Sequence, residues 1–368
     1  MNILRPSITA VASMLVAAAS LHAQTTATTD PVGFMTIDTP VGSDTIIAAP
    51  LTKAPVFQGG VTTLSNFTLT FDPSPGFGSL TTTPHYVQAA GGTQAGIIFD
   101  VASNTSNSIT LVDNGISPTG LTNGTSVKVV PYWTLGELYP AADQNVAFTP
   151  SGTTGGNRRT QILTPNVVGT GINRAPTATY FFVTNASDPT NPAVSYWRST
   201  ATGTTNVNNT AILPDSYFIV RNPTNAATNL KTTVAGNVNV GATVVQLDST
   251  SGAPNDNYVS LGRPVDITLD NLGLIASGAF MPSGGFTGGA RRDLLLLINN
   301  ATIGTNKAPS TTYYYVSAGP TNQWASTATG TNNVGTNVIP AAIGYIIRKA
   351  SNNATGSQFW TNTITIAP

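Results

Sequence analysis

Apolar residues along this chain gather in short runs divided by Gly, Pro, Thr and Asn, and after residue 24 no 3.6-residue hydrophobic period is sustained. Phe67-Thr68-Leu69-Thr70-Phe71 alternates with period two, the pattern of a strand with one face on a core. Similar strand-sized runs occur at Val32 to Ile37, Thr45 to Ala48, Tyr86 to Ala89 and Gly96 to Val101. They continue at Ser108 to Asp113, Ser126 to Pro131 and Ala242 to Asp248. The Gly-Gly pairs at 59 to 60 and 91 to 92 mark turns between such strands. Only 136–142 and 270–277 suggest helix, each for a single interrupted turn.

The runs also repeat. Asn173-Arg174-Ala175-Pro176, followed by Tyr180-Phe181-Phe182-Val183, returns as Asn306-Lys307-Ala308-Pro309 with Tyr313-Tyr314-Tyr315-Val316, an offset of 306 − 173 = 133 residues. Thr134 to Leu138 matches Thr268 to Leu272, and Gly155-Gly156-Asn157-Arg158-Arg159 matches Gly288-Gly289-Ala290-Arg291-Arg292. Trp197 to Val207 matches Trp324 to Val334 at 324 − 197 = 127, which places a deletion opposite the polar 185–193 stretch. Tyr217 to Arg221 corresponds to Gly344 to Arg348. An offset of this length is domain-sized, so two related modules are expected.

Composition supports strands and turns: 35 Gly and 25 Pro stand among abundant Thr and Asn. Charged residues make up only 8%, against roughly a quarter in ordinary soluble domains. With 15 basic and 15 acidic residues there is no bias towards nucleic acid or anionic lipid, and a near-neutral surface favours association. Residues 1–23 read as an export signal: Arg5, an apolar run from Ile8 to Ala19, then Ser20-Leu21-His22-Ala23. No later run has the length of a membrane-spanning helix. The absence of cysteine excludes disulfides, thiolate metal sites and a cysteine nucleophile.

Three stretches carry a family likeness: Thr29-Asp30-Pro31-Val32-Gly33-Phe34, Pro131-Tyr132-Trp133-Thr134-Leu135-Gly136-Glu137-Leu138, and Asn306-Lys307-Ala308-Pro309 before the Tyr run. On these the chain resembles an uncharacterised paralogous family of secreted proteins from Verrucomicrobia. The resemblance implies secretion and brings no activity, cofactor or catalytic residue with it.

Candidate chemistry is sparse. Outside the leader His85 is the single histidine, and Thr83-Pro84-His85-Tyr86 has no nucleophile elbow around it. Glu137 is the sole glutamate. Asp266 and Asp270, four apart on an extended strand, would sit about 13 Å from each other, too far for a retaining glycosidase pair. The polar stretch Asp248 to Asp256 offers oxygens to calcium but lacks the regular loop signature, and a plain turn reads more simply. Arg158, Arg159, Arg291 and Arg292 could present guanidinium forks to an anionic polymer, or could pair with an acid such as Asp293. Trp197 and Trp324 could stack on sugar rings, or could belong to the core.

The sequence therefore predicts an all-β protein with two related antiparallel sandwich or barrel-like modules and additional N-terminal strands. The expected boundaries are 24–106 for the N-terminal β region, 107–230 for the first copy and 231–368 for the second. A parallel β-helix or a membrane β-barrel are the competing architectures. The expected function is that of an exported, non-enzymatic structural or cell-surface protein assembling with itself or with envelope partners. A carbohydrate-binding or adhesive module is the alternative and a polysaccharide hydrolase a more distant one. No cofactor, metal or nucleic-acid partner is expected.

Overall fold

A computed structural model of the chain describes residues 31–140, 148–151, 158–184, 196–203 and 205–363. The expected export signal and the 185–193 loop lie outside these residues. The fold is all-β, as the alternation and turn composition require, and every pair of named strands runs antiparallel. No helix among the described residues is long and apolar enough to cross a membrane.

Three large sheets organise the described residues. In the first five-stranded sheet the spatial order is 196–199, 178–183, 161–164, 217–222 and 43–48. In the second it is 321–326, 311–318, 294–297, 345–349 and 255–259. Position by position the order is the same, and the repeated segments occupy equivalent places. Each sheet has a matching long ribbon, 32–39 with 230–237 and 242–249 with 356–363. Each also has a two-residue ribbon, 133–134 with 211–212 and 267–268 with 338–339, leading into the helical turns Leu135–Leu138 and Leu269–Asn271.

The third sheet has seven strands, ordered 57–60, 126–131, 85–89, 98–104, 108–111, 68–70 and 63–65. It falls between the strand 43–48 and the ribbon strand 133–134 of the first module. The second module passes from 255–259 to 267–268 with no such sheet.

Sheet membership departs from the sequence boundaries in three places. Strands 32–39 and 43–48, placed in the N-terminal region, belong to the first module. Strands 108–111 and 126–131, placed in the first copy, belong to the seven-stranded sheet. Strand 230–237, placed at the start of the second copy, closes the ribbon of the first. The reason is that β pairing joins residues far apart in sequence: Leu230 lies opposite Thr39, with the whole inserted sheet between them in the chain.

Each module buries its own core between its sheet and its ribbons. Ile47, Leu135, Ile162, Phe182, Trp197 and Val234 cluster in the first, and Leu247, Leu269, Leu295, Trp324, Ile347 and Trp360 in the second. The outer faces of the two sheets meet through Ile46, Tyr217, Tyr258, Leu296, Ile298 and Ile346.

The contact between modules is reciprocal. Arg221 grips Asp44 with two hydrogen bonds of 2.7 Å, and Asp44 also accepts the Asn306 amide of the other module at 2.7 Å. In mirror fashion Arg348 grips Asp256 at 2.6 and 3.0 Å, and Asp256 accepts the Asn173 amide at 2.8 Å. Asn173 and Asn306 both take positive φ, 51° and 52°, a conformation that asparagine tolerates better than most side chains. Further bonds match, Ala48 N–H to Ala342 O at 2.9 Å and Ser260 N–H to Asp215 O at 2.8 Å. This is the isologous pattern of a two-fold interface, realised inside one chain.

Candidate functional site

The structure disperses the residues that the sequence singled out. Trp197 is wholly buried, with its indole N–H donated to Tyr139 O at 3.0 Å and its ring packed on Phe148 and Phe182. Trp324 is likewise buried, against Phe280 and Tyr315. Neither offers a face to a sugar. Both point inward from their sheets, where a large apolar ring gains more by leaving water than by exposure.

Arg158 and Arg159 are exposed, and Arg158 lies 5.7 Å from the Phe181 ring; the preceding Gly155, Gly156 and Asn157 lie outside the described residues. Arg291 repeats the contact 4.6 Å from the Tyr314 ring and donates to Phe286 O. Arg292 donates to the Arg291 carbonyl at 3.4 Å. Arg158, Arg291 and Arg292 are therefore used on local rings and carbonyls. Asp293, the expected acid partner, instead forms a buried pair with Lys349 and accepts from the Ala350 N–H and Asn353.

His85 is buried, with Nδ1 2.9 Å from Leu80 O and 2.6 Å from Thr83 O, so it ties down a loop. Glu137 caps the helical turn, accepting from the Thr134 N–H at 3.0 Å and hydroxyl at 2.9 Å, and pairs with Lys53 at 2.5 Å. Burial pushes its carboxyl upwards, but these bonds from Lys53 and Thr134 outweigh that and leave it below the usual value. Asp266 accepts the Ala341 N–H at 2.8 Å, and Asp270 is exposed. Asp256 is committed to Arg348, so the Asp248 to Asp256 stretch is a strand connection and not an ion loop. Among the described residues no three His, Asp or Glu side chains come close enough to hold a metal.

What the structure does bring together is a different set. A cavity of about 400 Å³ opens where the seven-stranded sheet meets both modules. Ile98, Asp100 and Tyr132 come from that sheet and its end, Leu213 and Asp215 from the first module, and Val245, Asp248 and Tyr258 from the second. A more apolar recess of about 260 Å³ adjoins it, sharing Val167, Val168, Leu213 and Ser216. The junction is close: the Val244 N–H donates to Gly96 O at 3.2 Å, and a Cβ on Gly96 would sit 2.6 Å from Ala242 O. Gly96 also has φ +94°, so only glycine fits here without strain.

The electrostatics of the cavity are one-sided. Asp100, Asp215 and Asp248 line it, and among the described residues no Lys, Arg or His does. The Tyr132 hydroxyl donates to Asp100, and Asp248 accepts from Gln246 at 2.8 Å and Ser357 at 2.7 Å. Asp215 sits deep in the fold while keeping part of its surface open to the cavity. Burial raises its pKa to about 6; its own backbone N–H opposes this and the nearby Asp100 charge adds to it. Burial, with the charges of Asp100 and Asp215, also holds the Tyr132 hydroxyl well above its ordinary value.

Asp100 and Asp215 are separated in sequence by most of two sheets, and neither lies in a repeated motif. Only an excess of unpaired Asp beside hydrophobic strands could have drawn attention to them. No family model, curated protein or solved structure matches the chain.

Proposed function

We propose that the chain is an exported, non-enzymatic β-protein that works by holding a ligand in the cavity between its three sheets. One observation carries this reading: a concave space of about 400 Å³, walled by apolar side chains and a few convergent polar groups, and assembled from the seven-stranded sheet and both modules. Nothing in the packing of the cores requires such a gap, since interiors ordinarily close around their side chains. Export is supported by the N-terminal pattern and by the resemblance to secreted Verrucomicrobial proteins carried by Thr29 to Phe34. Against a hydrolytic role, Glu137 is engaged in capping and Asp100 already accepts the Tyr132 hydroxyl.

The test is a survey of small polar and amphiphilic compounds against the purified chain by ligand-observed NMR, repeated with Leu213→Trp to fill the cavity. Binders lost in the filled variant support the reading; binders indifferent to it, or none at all, overturn it.

A second reading, a structural or cell-surface component that assembles with copies of itself, is favoured by strand 32–39. Val32 and Phe34 are 78% and 77% exposed on its outer face, in a chain with little charge to keep copies apart.

A further inference from the structure

The chemistry of the cavity says what class of ligand it suits, an inference that rests on the binding reading above. Three of the chain's 15 acidic residues line one space that, among the described residues, no cationic side chain enters. Asp215 is the least compensated of them. It is deep, and no side-chain hydrogen bond or ion pair engages it among the described residues, in contrast to Asp44, Asp256 and Asp293, each held by Arg or Lys. A carboxylate so placed costs free energy unless something positive arrives to balance it.

The remaining walls narrow the choice of cation. A metal ion would need several carboxylates converging within coordination distance, and no such group of three exists among the described residues. Aromatic and aliphatic surfaces stand beside the acids instead: Tyr132 and Tyr258 with Ile98, Val245 and Leu213, running into the apolar recess by Val167 and Val168. Aromatic faces attract ammonium groups, and the recess accepts hydrocarbon.

We propose that the cavity binds an organic ammonium ion with an apolar body, its charged head against Asp215 and Asp100 and its hydrocarbon part in the recess lined by Val167, Val168 and Leu213. The groups within electrostatic reach of Asp215 are Asp100, Tyr132 and Tyr86 from the seven-stranded sheet and its end, and Asp248 and Tyr258 from the second module line the same cavity. Arg174 stacks on the Tyr258 ring at 4.9 Å and Asp256 lies beside it; neither lines the cavity. An amine, protonated at neutral pH, therefore meets an Asp215 carboxyl that is half ionised near pH 6, mostly charged at pH 7.5 and mostly neutral at pH 5.

The experiment is calorimetric titration of the full chain at pH 7.5 with n-hexylamine, its uncharged counterpart n-hexanol, and calcium chloride. The amine should bind at least about tenfold more tightly than the alcohol. Asp215→Asn, a near-isosteric change, should weaken amine binding by about tenfold or more and leave alcohol binding unchanged, and amine binding should weaken at pH 5. Asp248→Asn serves as a second variant and should weaken it less. Equal affinity for amine and alcohol, with both lost in Leu213→Trp, would overturn the cationic class while leaving the binding reading intact. Calcium binding that displaces the amine and needs Asp215 would likewise replace the organic cation by a metal. No response to any of the three, where other compounds bind in a Leu213-dependent way, removes this proposal alone; no Leu213-dependent binder of any kind removes both.

Discussion

Asp215 shows how one residue can be read for stability and for function at once. Its folded pKa of about 6 stands above the ordinary carboxyl value of 3.8, so the fold prefers the protonated form. The stability that this preference contributes is fully present below about pH 4, is lost as pH rises towards 6, and stays lost above. Asp215→Asn removes the titration. The variant should therefore gain on the parent between pH 4 and 7 by up to about 3 kcal/mol, read as the shift in urea midpoint at the two pH values. A parent that is the more stable of the two at pH 7 would contradict the burial argument. Glu137 has the opposite sign. Its carboxyl is held below its ordinary value, so its contribution is present above the unfolded pKa and lost as pH falls through the folded one. Because Lys53 and Glu137 are partly exposed, Glu137→Ala should cost only about 1 kcal/mol at pH 7, chiefly through the lost cap, and almost nothing at pH 3.

At the scale of elements the two-fold contact between modules makes sharper demands. Gly344 stands where the first module has Tyr217, and a Cβ on Gly344 would lie 2.1 Å from the Tyr217 ring. Equivalent positions meet across a pseudo-dyad, and there is room for one ring, not two. Gly344→Ala should therefore destabilise the protein by about 1–3 kcal/mol, the range for overpacking, whereas Tyr217→Gly would leave a void. Thermal denaturation of Gly344→Ala alone and in combination with Tyr217→Ala checks it: the second change should relieve the clash of the first. The Asp256 latch should matter more than the Asp44 latch, since Asp256 is completely buried and Asp44 slightly exposed. Asp256→Ala strands Arg348 in the interface and should cost about 3–5 kcal/mol. Much at this scale was legible beforehand. The repeated Tyr runs, the Trp pair and the Arg-terminated strands lie in equivalent strands because alternation already assigned each a face. The latches were not legible, because Asp44 and Asp256 are not in the repeated text and each meets Arg through lateral pairing of strands.

Taken as a whole, the molecule is a pair of like-built modules with a seven-stranded sheet set into the first. The entry and exit strands of that sheet, 57–60 and 126–131, pair with each other, so an insertion of this kind closes on itself and leaves the host strands undisturbed. It also supplies one wall of the cavity. The low charge and the exposed Val32 and Phe34 give a whole-molecule prediction: light scattering of the 24–368 chain should show concentration-dependent association at low salt, and Phe34→Ser should reduce it. Identical scattering from the two proteins would remove that strand from any account of assembly.

The all-β class, the turn at Gly91-Gly92 and the repeat itself follow from residue order alone, because strand alternation and turn chemistry are local and a repeat is visible wherever it falls, whereas Gly59-Gly60, expected as a turn, lies inside strand 57–60 and pairs with Val127 and Ser126. Which strands share a sheet, the burial of both Trp rings, the reciprocal latches and the acidic cavity were decided by tertiary pairing. Those contacts join Asp100, Asp215 and Asp248 across distances in the chain that no local pattern spans, and a carboxylate's role depends on what surrounds it once the chain has closed.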